Sequence, residues 1–80
     1  MTVTVRFFAS YAEKLGRSTL ELELPSGATV SDVMRSVSAL SGASTLPPSP
    51  LVAVNYKYAR ADSVLANGDE VAVIPPVAGG

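Results

Sequence analysis

Thr29-Val30-Ser31-Asp32-Val33-Met34-Arg35-Ser36-Val37-Ser38-Ala39-Leu40 is the stretch on which the fold of this 80-residue chain turns. Val30, Val33, Met34, Val37 and Leu40 recur at helical spacing, while Ser31, Asp32, Arg35 and Ser38 occupy other faces. Thr29 is a good N-cap, and Asp32 three residues on makes a weaker form of the capping box. Gly42 suits the C′ position that ends the helix. The spacing predicts one main helix of about three turns whose apolar stripe packs on something flat.

Working outward, that flat partner is predicted from both flanks. Upstream, Val3, Val5 and Phe7 alternate with Thr2, Thr4 and Arg6, a half-buried strand ending near Ala9. Tyr11 to Leu15 reads as a short helical turn stopped by Gly16. Leu20, Leu22 and Leu24 then alternate with Thr19, Glu21 and Glu23 until Pro25-Ser26-Gly27. Downstream, residues 42–50 are rich in Ser and Pro and read as an exposed loop. Leu51-Val52-Ala53-Val54 is a short apolar strand, residues 56–65 look irregular, and Asn67-Gly68-Asp69 is a turn. Glu70-Val71-Ala72-Val73-Ile74 is the last strand, stopped by Pro75-Pro76. Strand, strand, helix, strand, strand is the order of an α+β fold with a mixed sheet and one main helix packed on one face. A domain over residues 1–76 and a tail over residues 77–80 are expected.

Composition narrows the function. Six basic and seven acidic residues give a net charge of −1, scattered without a basic cluster, so neither nucleic acid nor an anionic membrane is an expected partner. With no Cys and no His, a thiol nucleophile and a zinc site are excluded, and the commonest general base is missing. The alternating opening has neither the charged region nor the apolar run of a signal peptide, and no segment nears 18 apolar residues. A soluble cytoplasmic protein that binds no metal or cofactor of its own is expected.

Alternation also sorts faces. With Val3, Val5 and Phe7 inward, Phe8 points outward or sideways; with Val71 and Val73 inward, Ala72 and Ile74 point out. Phe8 and Ile74 then make an apolar patch, unless Phe8 tucks under the Tyr11 turn as a satellite of the core. Arg6, Lys57 and Arg60 are candidates for acidic groups on a partner, although scattered charges are usually only solvated. Asp69 and Glu70 are neighbours on a strand and face opposite sides, which argues against an acid–base pair; Asp69 is better placed to close the Asn67-Gly68 turn.

Phe7-Phe8-Ala9, Ala53-Val54-Asn55 and Asn67-Gly68-Asp69-Glu70-Val71-Ala72, leading into Pro75-Pro76-Val77-Ala78-Gly79-Gly80, resemble the small subunits of molybdopterin synthase, over the whole chain in order and length. The resemblance implies a ubiquitin-like β-grasp fold, with the first and last strands parallel in the centre. It implies that Gly80 is the chemical group: its carboxylate takes AMP from ATP on an E1-like activating enzyme, becomes a thiocarboxylate, and gives its sulfur to precursor Z (cyclic pyranopterin monophosphate) to build the molybdopterin dithiolene. Catalytic residues are then expected on a large subunit, in an assembly of two small and two large chains. Gly79, Ala78 and Val77 complete the tail, and Phe8, Tyr58 and Ile74 match the docking positions. Glycine, lacking Cβ, suits passage through a narrow channel, and Pro75-Pro76 either simply ends the strand or also projects the tail. Three other readings stand beside this one: a sister carrier for thiamin or cysteine synthesis, a ubiquitin-like protein modifier joined to lysines, and an interaction module whose Gly-Gly is incidental.

Overall fold

The computed structural model describes residues 1–40 and 50–75. Alternating apolar residues build β1 (Thr2–Phe7), with Val3, Val5 and Phe7 buried. A seven-residue helix, α1 (Ala9–Leu15), buries Tyr11 and stops at Gly16. Gly16 sits in the left-handed region at φ 72° and donates its N–H to the Ala12 carbonyl at 3.0 Å, a C-cap that glycine adopts at least cost. β2 (Thr19–Glu23) follows, with its leucines half-buried and its Thr and Glu residues exposed.

The main helix, α2 (Val30–Ser38), begins where the sequence predicts, with Thr29 as N-cap. The Thr29 N–H donates to Asp32 Oδ2 at 2.8 Å, so the N3 carboxylate satisfies a donor that the helix leaves free. Its far end comes sooner than expected: Ala39 is the C-cap. Gly42 and the rest of the Ser/Pro-rich loop, except Pro50, lie outside the described residues. Val30, Val33 and Val37 are buried, and Met34 and Leu40 pack partly exposed against them.

β3 (Leu51–Val54), β4 (Lys57–Tyr58) and β5 (Glu70–Ile74) complete one five-stranded sheet in the order β2-β1-β5-β3-β4. β1 and β5 run parallel near the middle, with Val5 opposite Val71 and Phe7 opposite Val73; every other pair is antiparallel. This is the predicted β-grasp arrangement. The core is valine-rich and lies between the sheet and the helices: Val3, Val5, Phe7, Tyr11, Val30, Val33, Val37, Val52, Leu65, Val71 and Val73 form one cluster. Valine suits this place, because its branched side chain is stiff and packs well on a pleated surface.

The sequence reading of residues 56–65 needs correction in two places. Lys57–Tyr58 is a short strand on the sheet's edge, because β3 supplies a ladder for it, with Ala53 opposite Tyr58 and Val54 opposite Lys57. Leu65, in a segment with no periodicity, is a core residue.

Candidate functional site at the free face of the sheet

β1 and β5 bury alternate residues under the helices, so the intervening ones emerge on the opposite face. There the structure brings together the three residues expected to dock a partner. Phe8, Tyr58 and Ile74 line one shallow cavity of about 420 Å³, with Ala53 and Ala72 beside them. Phe8 follows β1 directly and is 42% exposed, whereas Tyr11 is almost wholly buried. Of the two placements open to Phe8, it takes the outward one, and Tyr11 is the aromatic that α1 contributes to the core.

The cavity's polar edge was not legible beforehand. Arg6 Nη1 donates to Glu70 Oε1 at 2.9 Å. The Arg6 guanidinium is held above its usual range by that hydrogen bond and by attraction to Glu70, with a smaller contribution from Tyr56. Arg6, a candidate for an acidic partner group, thus has a carboxylate within its own chain. Arg60 faces Asp62 at 3.8 Å, both well exposed, a contact of little energetic weight. Asp69 and Glu70 do part company as expected. Asp69 Oδ2 accepts from the Ala66 N–H at 2.7 Å, closing the Asn67-Gly68 turn, and its Oδ1 accepts from Asn55 Nδ2 at 2.9 Å.

Tyr56 is the lining residue that sequence reasoning passed over. It follows Asn55 in the two-residue loop joining β3 and β4, and both have positive φ, 50° and 71°. That is the signature of a type I′ turn, which matches the twist of a hairpin. Asn at its first position was a usable signal; Tyr at its second was not, since glycine normally stands there.

β5 ends at Ile74 on the cavity's rim, and Pro75 is the last described residue. Val77, Ala78, Gly79 and Gly80, the expected reactive tail, lie outside the described residues. Among the described residues no group of three or more acidic side chains is placed to hold a metal ion, and no helix is long and apolar enough to cross a membrane.

A family model, that of the ThiS family, matches residues 5–80. The chain belongs to the ThiS family. This ThiS-family chain is 34% identical to the molybdopterin synthase sulfur carrier subunit of Chlamydomonas reinhardtii, over the full length of both proteins. It is 30% identical to small archaeal modifier protein 3 of Haloferax volcanii, again over 100% of each. Among solved structures, the crystal structure of SAMP1 from Haloferax volcanii superposes with a TM-score of 0.85 at 27% identity, covering all of both chains. The expected ubiquitin-like β-grasp fold thus has its counterparts among relatives with two kinds of name, a molybdopterin synthase sulfur carrier subunit and small archaeal modifier proteins.

Proposed function

We propose that this chain is the sulfur-carrying subunit of a molybdopterin synthase. An E1-like enzyme joins the Gly80 carboxylate to AMP from ATP, releasing pyrophosphate. A sulfur nucleophile then attacks the activated carbonyl, AMP departs with the C–O bond electrons, and a thiocarboxylate remains. Its sulfur, anionic at neutral pH, attacks a side-chain carbon of the precursor pterin on the large subunit, and the C–O bond at that carbon breaks with its electron pair leaving on oxygen; water later cleaves the acyl–sulfur bond and restores the carboxylate. The division of labour suits a chain with no Cys and no His, which carries the sulfur on its own terminus and leaves acid–base work to its partner.

The observation that carries this reading is positional. The central strand β5 delivers the chain past the apolar cavity, at Ile74, and directly into the segment ending Gly79-Gly80. A protein that grips the cavity thereby holds the root of the tail. The end-to-end likeness to a molybdopterin synthase sulfur carrier subunit favours this pathway over its sisters.

The second reading, a protein modifier joined through Gly80 to lysines, is favoured by the likeness to small archaeal modifier protein 3. Intact-mass and peptide mass spectrometry of the chain recovered from cells separates the two. Replacement of one oxygen by one sulfur on Gly80 is expected of a carrier. Branched Gly-Gly remnants on lysines of other proteins, with no sulfur on Gly80, would replace the carrier reading by the modifier one.

A further inference from the structure

The β3–β4 turn holds a bulky side chain where the backbone favours none. Tyr56 sits at φ 71°, a region in which a bulky side chain is an outlier. Such strain persists only where the surroundings over-determine it. Here they do: the Asn55 N–H donates to the Glu70 carbonyl, the Glu70 N–H donates to Asn55 Oδ1, and Asn55 Nδ2 donates to Asp69. Burial does not repay the strain, because Tyr56 is 87% exposed and absent from the core. What its ring does is line the cavity beside Phe8, Tyr58 and Ile74.

We infer that Tyr56 is a specificity-determining contact for the protein that accepts the tail, and that the strained turn exists to stand its ring at the edge of the cavity. This rests on the carrier reading and adds to it a residue and a partner chemistry. The occupant is set by the chain's own continuity. Five residues lead from Pro75 to Gly80, a span of at most about 18 Å, so whatever covers this cavity must hold its acceptor site within that distance. A second copy of this chain has no His and no Cys to act on a tail. Of the two proteins that handle the tail in the proposed cycle, the activating enzyme and the large subunit, the occupant assigned here is the large subunit, the one that accepts the sulfur. Because Arg6 and Glu70 are paired with each other and the rest of the lining is alanine, isoleucine and aromatic rings, the partner segment that enters is largely apolar.

The test uses the purified full chain, the large subunit from the same organism, and the variants Tyr56→Gly and Tyr56→Phe. Thermal melts and titration calorimetry are run on each. Glycine relieves the turn and removes the ring, so Tyr56→Gly is expected to melt at or above wild type while binding at least about tenfold more weakly. Tyr56→Phe keeps ring and strain and is expected to bind within about threefold of wild type. Wild-type affinity in Tyr56→Gly, or equal losses in the two variants, overturns the assignment. If the wild-type chain itself does not bind the large subunit, the synthase reading fails, and this contact with it; that failure is visible before any variant is made.

Discussion

Asn55 and Glu70 close the corner between β3 and β5 from both sides: the Asn55 N–H donates to the Glu70 carbonyl at 2.8 Å, and the Glu70 N–H donates to Asn55 Oδ1 at 2.9 Å. The same side chain also reaches Asp69, so one residue ties the hairpin tip to the turn before β5. Asn55→Ala removes both side-chain bonds and puts alanine at positive φ. A loss of about 1–3 kcal/mol in chemical denaturation is expected. An unchanged midpoint would mean that the side chain adds nothing to the backbone pairing.

Val37 lies on the buried stripe of α2, in the cluster that also holds Val33 and Val71, with Leu22 packed at its margin. Among the described residues no polar or charged side chain is buried, so the cluster offers no partner for a charge. Val37→Asp is expected to destabilise by several kcal/mol, on the order of half the stability of a small domain. A melting temperature equal to wild type would contradict the helix's orientation.

Phe8 offers the complementary case. It is 42% exposed, lines the cavity and stands outside the core cluster, so only a small contribution to folding is expected of it. Phe8→Ala is expected to weaken large-subunit binding by about 1–3 kcal/mol, the range of an aromatic anchor, with a nearly unchanged melt. Calorimetry showing wild-type affinity together with a large fall in melting temperature would move Phe8 into the core and the docking face elsewhere.

Asp32 supplies a pH dependence whose sign follows from its partners. Its carboxyl is held below the usual range, first by the Thr29 backbone N–H, then by the Thr29 hydroxyl and Arg35, with burial opposing them. The folded state therefore prefers the ionised form more than the unfolded chain does. That stabilisation is fully present above the unfolded pKa of about 4 and fades as pH falls through the lower folded value. Asp32→Asn should flatten this part of the acid limb in melts followed below about pH 4. Parallel wild-type and variant curves would remove Asp32 from the account.

Deleting Gly80, or adding one residue after it, should abolish pterin sulfuration in a reconstituted synthase while leaving the melt unchanged. The proposed chemistry runs through the Gly80 carboxylate, and among the described residues no core residue lies beyond Val73. Full activity of the deletion variant would end the proposal for Gly80.

Much of this molecule could be read from residue spacing, and the exceptions share a cause. The α2 stripe and the alternation in β1 and β5 were legible because a long element repeats its burial pattern, and the same alternation put Phe8 and Ile74 on the outer face. Lys57–Tyr58 has no pattern of its own; it is a strand because β3 lies beside it. Leu65 and Ala28 are buried from irregular segments linked by the Leu65 N–H to the Ala28 carbonyl at 2.9 Å, a tertiary contact that no local period announces. The Arg6–Glu70 pair was hidden for the same reason, since 64 positions separate its members. Tyr56 was hidden differently: its neighbour follows turn chemistry and it breaks it, and such departures are expected where function overrides stability.

The parallel pairing of β1 with β5 has a consequence for how the protein is born. A ribosome makes β1 well before β5, yet each needs the other as a neighbour in the middle of the sheet. Contacts this distant in sequence form late and slow folding. The nascent chain must therefore wait, with its valines uncovered, until residues 70–74 have left the exit tunnel. A message cut short before that point yields no folded domain, because the missing strand is an inner one. Translation itself thus acts as a proofreader: a copy able to offer the cavity to a partner has already made the strand that leads into Gly79-Gly80.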